Sequence, residues 1–201
     1  MLLGKVQSNF TYCQKSEKFN SFSNRLNVGK QFEMKVLTIF EKLCVPCQPF
    51  GLGELSQDVK NRLISMNDTT SLLLRFMPDF ILVFDEFSCF CECKSVTAGN
   101  ENSGNFSYSH DSYMMGLALA KQGIRILTVF GSHTDGEIRA CWLDKLPVSR
   151  VCEGSSKGSG KPYVLVPKVE IPILTHFLRS EHLIGTQRSR GDCFPDFLYH
   201  F

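Results

Sequence analysis

The chain has 201 residues, of which 43% are hydrophobic and 21% are charged, and its formal net charge at pH 7 is +2. This balance is ordinary for a soluble globular protein with a sizeable core. No stretch approaches the roughly 20 apolar residues that cross a bilayer, and the start is too short in apolar residues for a signal peptide, so we expect an intracellular protein with no membrane partner.

The first third of the chain predicts helices. Residues 1–26 are polar and aperiodic and are expected to form an N-terminal arm. A helix is predicted from Asn27 or Gly29 to about Leu43, because apolar residues recur there at helical spacing. Pro46 and Pro49 should end it. A second, short helix is expected around residues 54–65.

The middle of the chain predicts a hairpin, a helix and a strand. Residues 80–84 and 88–96 are strand-like and are separated by a turn at Asp85-Glu86, which predicts a β-hairpin. A Gly/Asn/Ser-rich stretch, 97–107, is expected to be a loop. A helix over 109–121 should stop at Gly123, and the β-branched run 124–130 predicts a central strand.

The last third predicts shorter elements. A strand is expected over 137–143, an edge strand over 163–166 and a closing helix over 171–184. The order of elements favours an α/β fold in which a mixed β-sheet is flanked by helices. We predict a single domain over 27–201, with a C-terminal extension from about residue 147.

Nine cysteines raise the question of a disulfide scaffold. The count is odd and the chain is long enough to fold without disulfides, so reduced, packed thiols are expected. Cys91 and Cys93 alternate along a strand and should be buried on one face. Cys44 and Cys47 have the spacing of a zinc knuckle, but no second pair follows at a suitable distance.

Charge is unevenly distributed. Residues 50–112 hold four Lys/Arg and nine Asp/Glu, whereas 1–42 hold seven Lys/Arg and three Asp/Glu, and 145–190 hold eight and three. An acidic centre with basic flanks suits a metal site inside an anion-binding surface. A chance distribution of solvated charges gives the same pattern.

Two short motifs in the acidic centre suggest chemistry. Pro78-Asp79 opens the first strand of the hairpin, and Glu92-Cys93-Lys94 lies on the second. Side chains alternate along a strand, so Glu92 and Lys94 share one face and the neighbouring cysteines share the other. Burying charged side chains on a strand whose other face carries thiols costs free energy. Such charges are therefore expected to have a function. The structural alternatives are a salt bridge for Glu92 and Lys94 and a turn cap for Asp79.

These motifs resemble the signature of the PD-(D/E)xK nuclease superfamily, which includes restriction endonucleases and Holliday-junction resolvases. Members also carry an acidic residue on the preceding helix, and Glu33 in Gly29-Lys30-Gln31-Phe32-Glu33 fits that position. The resemblance covers about residues 27–146. It implies a restriction-endonuclease-like core and a metal-dependent nuclease, most simply a DNA endonuclease. Structure-specific cleavage and a homodimeric assembly are two further expectations that the resemblance raises.

The resemblance also implies roles. Asp79, Glu92 and the backbone carbonyl of Cys93 would bind Mg²⁺ or Mn²⁺, and Glu33 would join them directly or through water. Lys94 would position the attacking water and stabilise the charged phosphate. The weaker candidates for contacts with nucleic acid are Lys30, Ser95, His110 and Tyr113. A solvated surface position for His110 and a packing role for Tyr113 are the structural alternatives.

Three alternatives remain open at this point. One is an exonuclease or an RNA-directed nuclease. Another is a non-catalytic nucleic-acid-binding or assembly module that keeps the fold. The third is an unrelated α/β protein in which the carboxylates are structural. The sequence leaves DNA or RNA, strandedness and sequence specificity undetermined.

Overall fold

The computed structural model describes residues 22–95, 104–132, 136–154 and 160–184. Five α-helices lie in these ranges: α1 (Phe22–Lys42), α2 (Gln57–Ser65), α3 (Thr69–Arg75), α4 (His110–Lys121) and α5 (Leu174–Ser180). The strands are β1 (Cys47–Pro49), β2 (Phe80–Val83), β3 (Ser88–Ser95), β4 (Asn105–Ser109), β5 (Ile126–Gly131), β6 (Ile138–Trp142), β7 (Arg150–Cys152) and β8 (Tyr163–Pro167). In these ranges, no helix has the length and apolar character needed to cross a membrane.

The central sheet has five strands in the order β1-β2-β3-β5-β6. Strands β2 and β3 form the predicted antiparallel hairpin, with Phe80 opposite Cys91. Strand β3 pairs with β5 in parallel, with Glu92 beside Thr128, and α4 lies in the connection between them. A parallel pair needs such a crossover, whereas antiparallel neighbours need only a turn. The sheet is therefore mixed, as predicted.

Helices and a second sheet cover the two faces of this sheet. On one face, α1 and α5 contribute Val36, Phe40 and Phe177 to a cluster that also contains the cysteines of β3. On the other face, α4 and strands β4 and β8 enclose a second cluster around Phe106 and Phe130. Both faces are buried, which explains why β5 is buried at every position. The predicted α/β fold with a mixed sheet flanked by helices is confirmed.

Helix α1 presents the predicted apolar stripe to the core, where Val36 and Phe40 are fully buried. It begins at Phe22, five residues before the predicted start, so part of the predicted arm is helical. The rest of that arm lies outside the described residues. The helix ends before Pro46, with Cys44 in the left-handed region at φ 55°. The Val45 N–H then donates to the Phe40 carbonyl at 2.9 Å and closes the final turn.

The second sheet and helix α5 correct three predictions. The order of this sheet is β4-β8-β7, so the strand predicted at 163–166 as an edge strand is central. Part of the predicted loop 97–107 is strand β4, in which Phe106 and Tyr108 are buried. Helix α5 is seven residues long, shorter than the predicted 171–184. The polar residues around β4 conceal its two inward-facing aromatic residues, and its partner strand is more than fifty residues away in sequence.

Candidate active site

Asp79 is held by backbone geometry at the start of β2. The Phe50 N–H donates to the Asp79 carbonyl at 2.7 Å, which extends the pairing of β1 with β2. Gly51 follows with φ 78°, and a Cβ at this position would lie 2.6 Å from the Pro78 carbonyl oxygen. Only glycine allows this close approach without strain. The turn at Gly51 therefore fixes where the Asp79 side chain enters the site.

Glu92 and Lys94 lie near the end of β3, at the end of the central sheet where β2 begins. The Cys93 N–H donates to Asp79 Oδ2 at 2.7 Å, which joins the two predicted motifs directly. The Lys94 Nζ forms an ion pair with Glu92 Oε1. Only 10% of the Glu92 side chain and 24% of the Lys94 side chain are exposed, so this pair is largely withdrawn from water. Cys93 points to the opposite face and is buried in the thiol cluster.

Glu33 on α1 interacts electrostatically with the same group. Burial and the nearby Asp79 carboxylate raise the pKa of Glu33 to about 7, against the opposing effects of Lys94 and Lys30. Its neighbour Phe32 packs tightly over Gly131 at the end of β5, where a Cβ would collide with the phenyl ring. The glycine lets α1 approach the sheet closely, and this approach brings the Glu33 carboxylate to the site.

The four charged groups perturb one another as well as being desolvated. Burial raises the pKa of Glu92 to about 7; Lys94 opposes this shift, while Asp79 and Glu33 add to it. Burial also raises the pKa of Asp79, opposed by Lys94 and by the hydrogen bond from Cys93. For Lys94, burial disfavours the ammonium, but Glu92 and Asp79 outweigh it and raise its pKa. Three carboxylates thus face one lysine in a poorly hydrated site.

The donor chemistry of this site fits a hard divalent cation. Carboxylate oxygens are the ligands that Mg²⁺ and Mn²⁺ prefer, and mutually repelling, desolvated carboxylates are stabilised by added positive charge. However, no three His, Cys, Asp or Glu side chains in the described ranges are arranged as a metal-binding group. Glu92 contacts Lys94 instead. A metal ion bound here would compete with Lys94 for the Glu92 carboxylate.

The backbone of Cys93 supplies a further oxygen at this end of the sheet. Its N–H points towards the β2 side of the strand, to Asp79, the residue just before β2 begins. In a β-strand the N–H and C=O of one residue point to the same side. The Cys93 carbonyl therefore also points to the side of β3 where Asp79 lies. A carbonyl that binds the same metal ion as Asp79 would need this direction.

The four weaker candidates lie on three different elements, α1, β3 and α4. Lys30 is exposed one turn before Glu33 and acts on its carboxylate. Ser95 is half-buried at the end of β3, paired with Gly131. His110 lies beside Asp111, with its Nδ1 3.9 Å from Oδ1. Tyr113 packs against Tyr108, with ring centroids 6.1 Å apart.

Sequence reasoning missed two residues of the site. Tyr108 on β4 is 2% exposed, and its ring lies beneath the Lys94 ammonium. Thr128 on β5 is fully buried beside Glu92, and its hydroxyl has no hydrogen-bond partner among the described residues. Phe-x-Tyr alternation was the available signal for the first, and a lone Thr in the apolar run of β5 was the signal for the second.

The chain matches no protein-family model and no curated protein sequence. Among solved structures it is similar to a Holliday junction resolvase from the archaeal hyperthermophile Archaeoglobus fulgidus, with 12% sequence identity and a TM-score of 0.46 over 74% of this chain and 98% of the resolvase. It is also similar to a nuclease from a fusselovirus, with 9% identity and a TM-score of 0.41 over 77% of this chain and 88% of the nuclease. An activity for this chain is therefore inferred from its own residues.

Proposed function

We propose that this protein is a metal-dependent nuclease that hydrolyses phosphodiester bonds, with DNA as the favoured substrate and endonucleolytic cleavage as the favoured mode. The observation that carries the proposal is the cluster of charged side chains at the end of the central sheet where β2 begins. There Asp79 accepts from the Cys93 backbone, while Glu92 pairs with Lys94. Glu33 interacts electrostatically with the same groups. Such a set of carboxylates beside one buried lysine suits phosphodiester hydrolysis better than it suits stability.

The energetics support a functional reading of these charges. A buried ion pair seldom stabilises a fold more than apolar residues of the same volume would, because both charges lose their hydration. Here Asp79 and Glu33 add carboxylates that repel Glu92. A structural ion pair would have no need of them. Their presence is understandable if the site binds a cation and then a polyanion.

In this proposal Asp79, Glu92 and the Cys93 carbonyl hold Mg²⁺ or Mn²⁺, and Glu33 joins them directly or through a water. A bound ion of this kind lowers the pKa of its water and neutralises phosphate charge. The chain itself holds the carboxylates together at one end of the sheet. It also shields Lys94 from most of the bulk water, since only 24% of that side chain is exposed. A charge in such a site acts more strongly than one in bulk solvent.

Lys94 has the role most specific to catalysis. Its ammonium, kept charged by Glu92 and Asp79, would orient the attacking water and stabilise the negative charge that grows on the phosphate. We further propose that Lys30, which is exposed one turn before Glu33, and Ser95, at the end of β3, contact the flanking phosphates of a bound strand. His110 and Tyr113 belong to α4, where Tyr113 packs against Tyr108 of β4, and we assign them a weaker part in binding.

A cleavage panel tests the proposal. Purified protein is incubated with Mg²⁺, Mn²⁺ or EDTA and with linear duplex, single-stranded, circular and branched DNA, and with RNA. We expect cleavage with metal only, and cleavage of circles distinguishes an endonuclease from an exonuclease. Preference for RNA would replace the DNA assignment. Binding without cleavage of any substrate would favour the non-catalytic module and overturn the proposed activity.

Two matched variants exclude a contaminating nuclease. Glu92→Gln keeps the size of the side chain and removes its charge, and we expect it to abolish cleavage. Glu86→Gln is its control, because Glu86 lies exposed in the turn between β2 and β3. It should cleave like the unmodified protein. Equal activity of all three proteins would show that the cleavage comes from elsewhere. The predicted homodimer is examined on the same samples by light scattering.

A further inference from the structure

Tyr108 brings the second sheet to the candidate active site. It lies on β4, which pairs with β8 through Val164, and only 2% of it is exposed. The Lys94 Nζ lies over its ring, 4.9 Å from the centroid. Two rings pack edge-on against Tyr108: Tyr113 at 63° and Phe130 at 87°, with centroids 6.1 and 6.5 Å away. The orientation of the Tyr108 ring is thus set by the core.

The contact constrains a side chain that would otherwise be mobile. A lysine has four rotatable bonds, so a single ion pair with Glu92 leaves the ammonium free to swing around that carboxylate. The face of an aromatic ring carries negative charge and attracts a cation, most strongly where water is excluded. The ring and the carboxylate together restrict the ammonium from two directions. Neither contact alone would do so.

We propose that Tyr108 is a positioning residue for the nuclease reaction, and that its ring holds the Lys94 ammonium in the place where it acts on the phosphate. This inference rests on the proposed function. The ring is the part that matters, because its face makes the contact. It also gives the three-stranded sheet a role at the site, since β4 carries the residue and β8 holds β4 in place.

Three substitutions separate the ring from its hydroxyl and from simple packing. Tyr108→Leu removes the ring, and we expect kcat to fall about 10- to 30-fold while KM and Mn²⁺ affinity are unchanged. Tyr108→Phe keeps the ring and should restore the rate to within about threefold. Phe106→Leu truncates an equally buried aromatic residue two positions earlier on β4, stacked on Phe130. It controls for lost packing and should leave kcat unchanged.

Each outcome bears on the proposal. Unmodified kcat in Tyr108→Leu, or a loss as large in Tyr108→Phe or in Phe106→Leu, overturns it. Should Tyr108→Leu not fold, fluorinated phenylalanines at position 108 replace it, because they keep the shape of the ring and remove the negative charge of its face. We expect kcat to fall stepwise as fluorines are added. A flat series overturns the proposal.

A spectroscopic measurement makes the test independent of activity. In protein labelled with ¹³C-lysine, the Cε protons of Lys94 should be shifted upfield by the ring current of Tyr108. That shift should persist in Tyr108→Phe and disappear in Tyr108→Leu. If the unmodified protein cleaves nothing, the proposed function fails whatever the shift. If it cleaves but Lys94 shows no ring-current shift, the function stands and the positioning role of Tyr108 is wrong.

Discussion

The two faces of β3 have opposite chemistry. One face carries Cys89, Cys91 and Cys93, which pack with α1 and α5 in an apolar cluster. The other carries Glu92 and Lys94, which are also largely buried but are charged. Burial raises the pKa of the Cys89 thiol to about 12 and that of the Cys93 thiol well above its usual range, so these thiols stay protonated and unreactive.

The difference shows that the thiol face stabilises the fold, whereas burying the charged face costs free energy. Small apolar thiols contribute hydrophobic burial and need no partners. Buried carboxylates lose hydration, and here they also repel one another. A strand that served only as a core element would be apolar on both faces, like most of β5. The charges on β3 are therefore better explained by chemistry than by folding, and four experiments can test this contrast.

The largest expected effect is on the charged face. Lys94→Ala should lower the cleavage rate on the order of 100- to 1,000-fold, because one preorganised charge at the transition state typically contributes that much. The protein should still fold, and nucleic-acid binding should change little, since the charge acts mainly on the transition state. Single-turnover kinetics and a thermal unfolding curve measure both. Cleavage at the unmodified rate would make Lys94 a structural ion-pair partner.

Lys94→Met is the matched control for this variant. It keeps the packed stem of the side chain and removes only the ammonium. We expect the same loss of rate as in Lys94→Ala with a smaller loss of stability. Recovery of the rate in Lys94→Met would assign the effect to packing.

Asp79→Ala should also stop cleavage, but for a different reason. Removing a ligand weakens metal affinity, so a high concentration of Mn²⁺ should restore part of the rate, whereas Lys94→Ala should show no such rescue. Metal titrations of cleavage for both variants provide the measurement. Rescue of neither variant, or of both, would contradict the assignment of Asp79 to the metal and Lys94 to the phosphate.

The thiol face should respond in the opposite way. Cys93→Ala removes one buried sulfur, and we expect it to lower the free energy of unfolding by about 1–2 kcal/mol. The cleavage rate should stay within a few-fold, because Cys93 donates to Asp79 through its backbone N–H, which alanine keeps. Urea unfolding and kinetics are compared on the same protein. A large loss of rate with unchanged stability would show that the two faces are not separate.

The smallest expected effect is a pH dependence of stability without metal. The folded pKa of Glu92 is about 7, above its ordinary value of 4.5. The folded state therefore binds the proton more tightly, and this contribution to stability is present below pH 4.5 and lost as pH rises through about 7. Glu92→Gln should lose less stability than the unmodified protein between pH 5.5 and 8 in urea unfolding, whereas Glu86→Gln should match the unmodified protein. Parallel curves for all three would contradict the raised pKa.

Several elements could be predicted because local pattern alone decides them. The hairpin of β2 and β3 follows from two strand-like runs with a short turn, and helix α1 from its apolar stripe. Strand β4 could not be predicted in this way. Asn105, Ser107 and Ser109 resemble a loop, and the strand forms because it pairs with β8. That partner contributes pairing and burial that no local window contains.

The residue types and spacing of the candidate site were likewise present in the chain itself. Alternation along β3 determined that Glu92 and Lys94 share one face and that the cysteines share the other. The tertiary structure alone decided what surrounds them. It brought Asp79 to the Cys93 N–H, placed the ring of Tyr108 against Lys94, and left Thr128 buried beside Glu92. Alternation is a property of one strand, whereas those contacts join segments that come close only when the sheets pack and expel water.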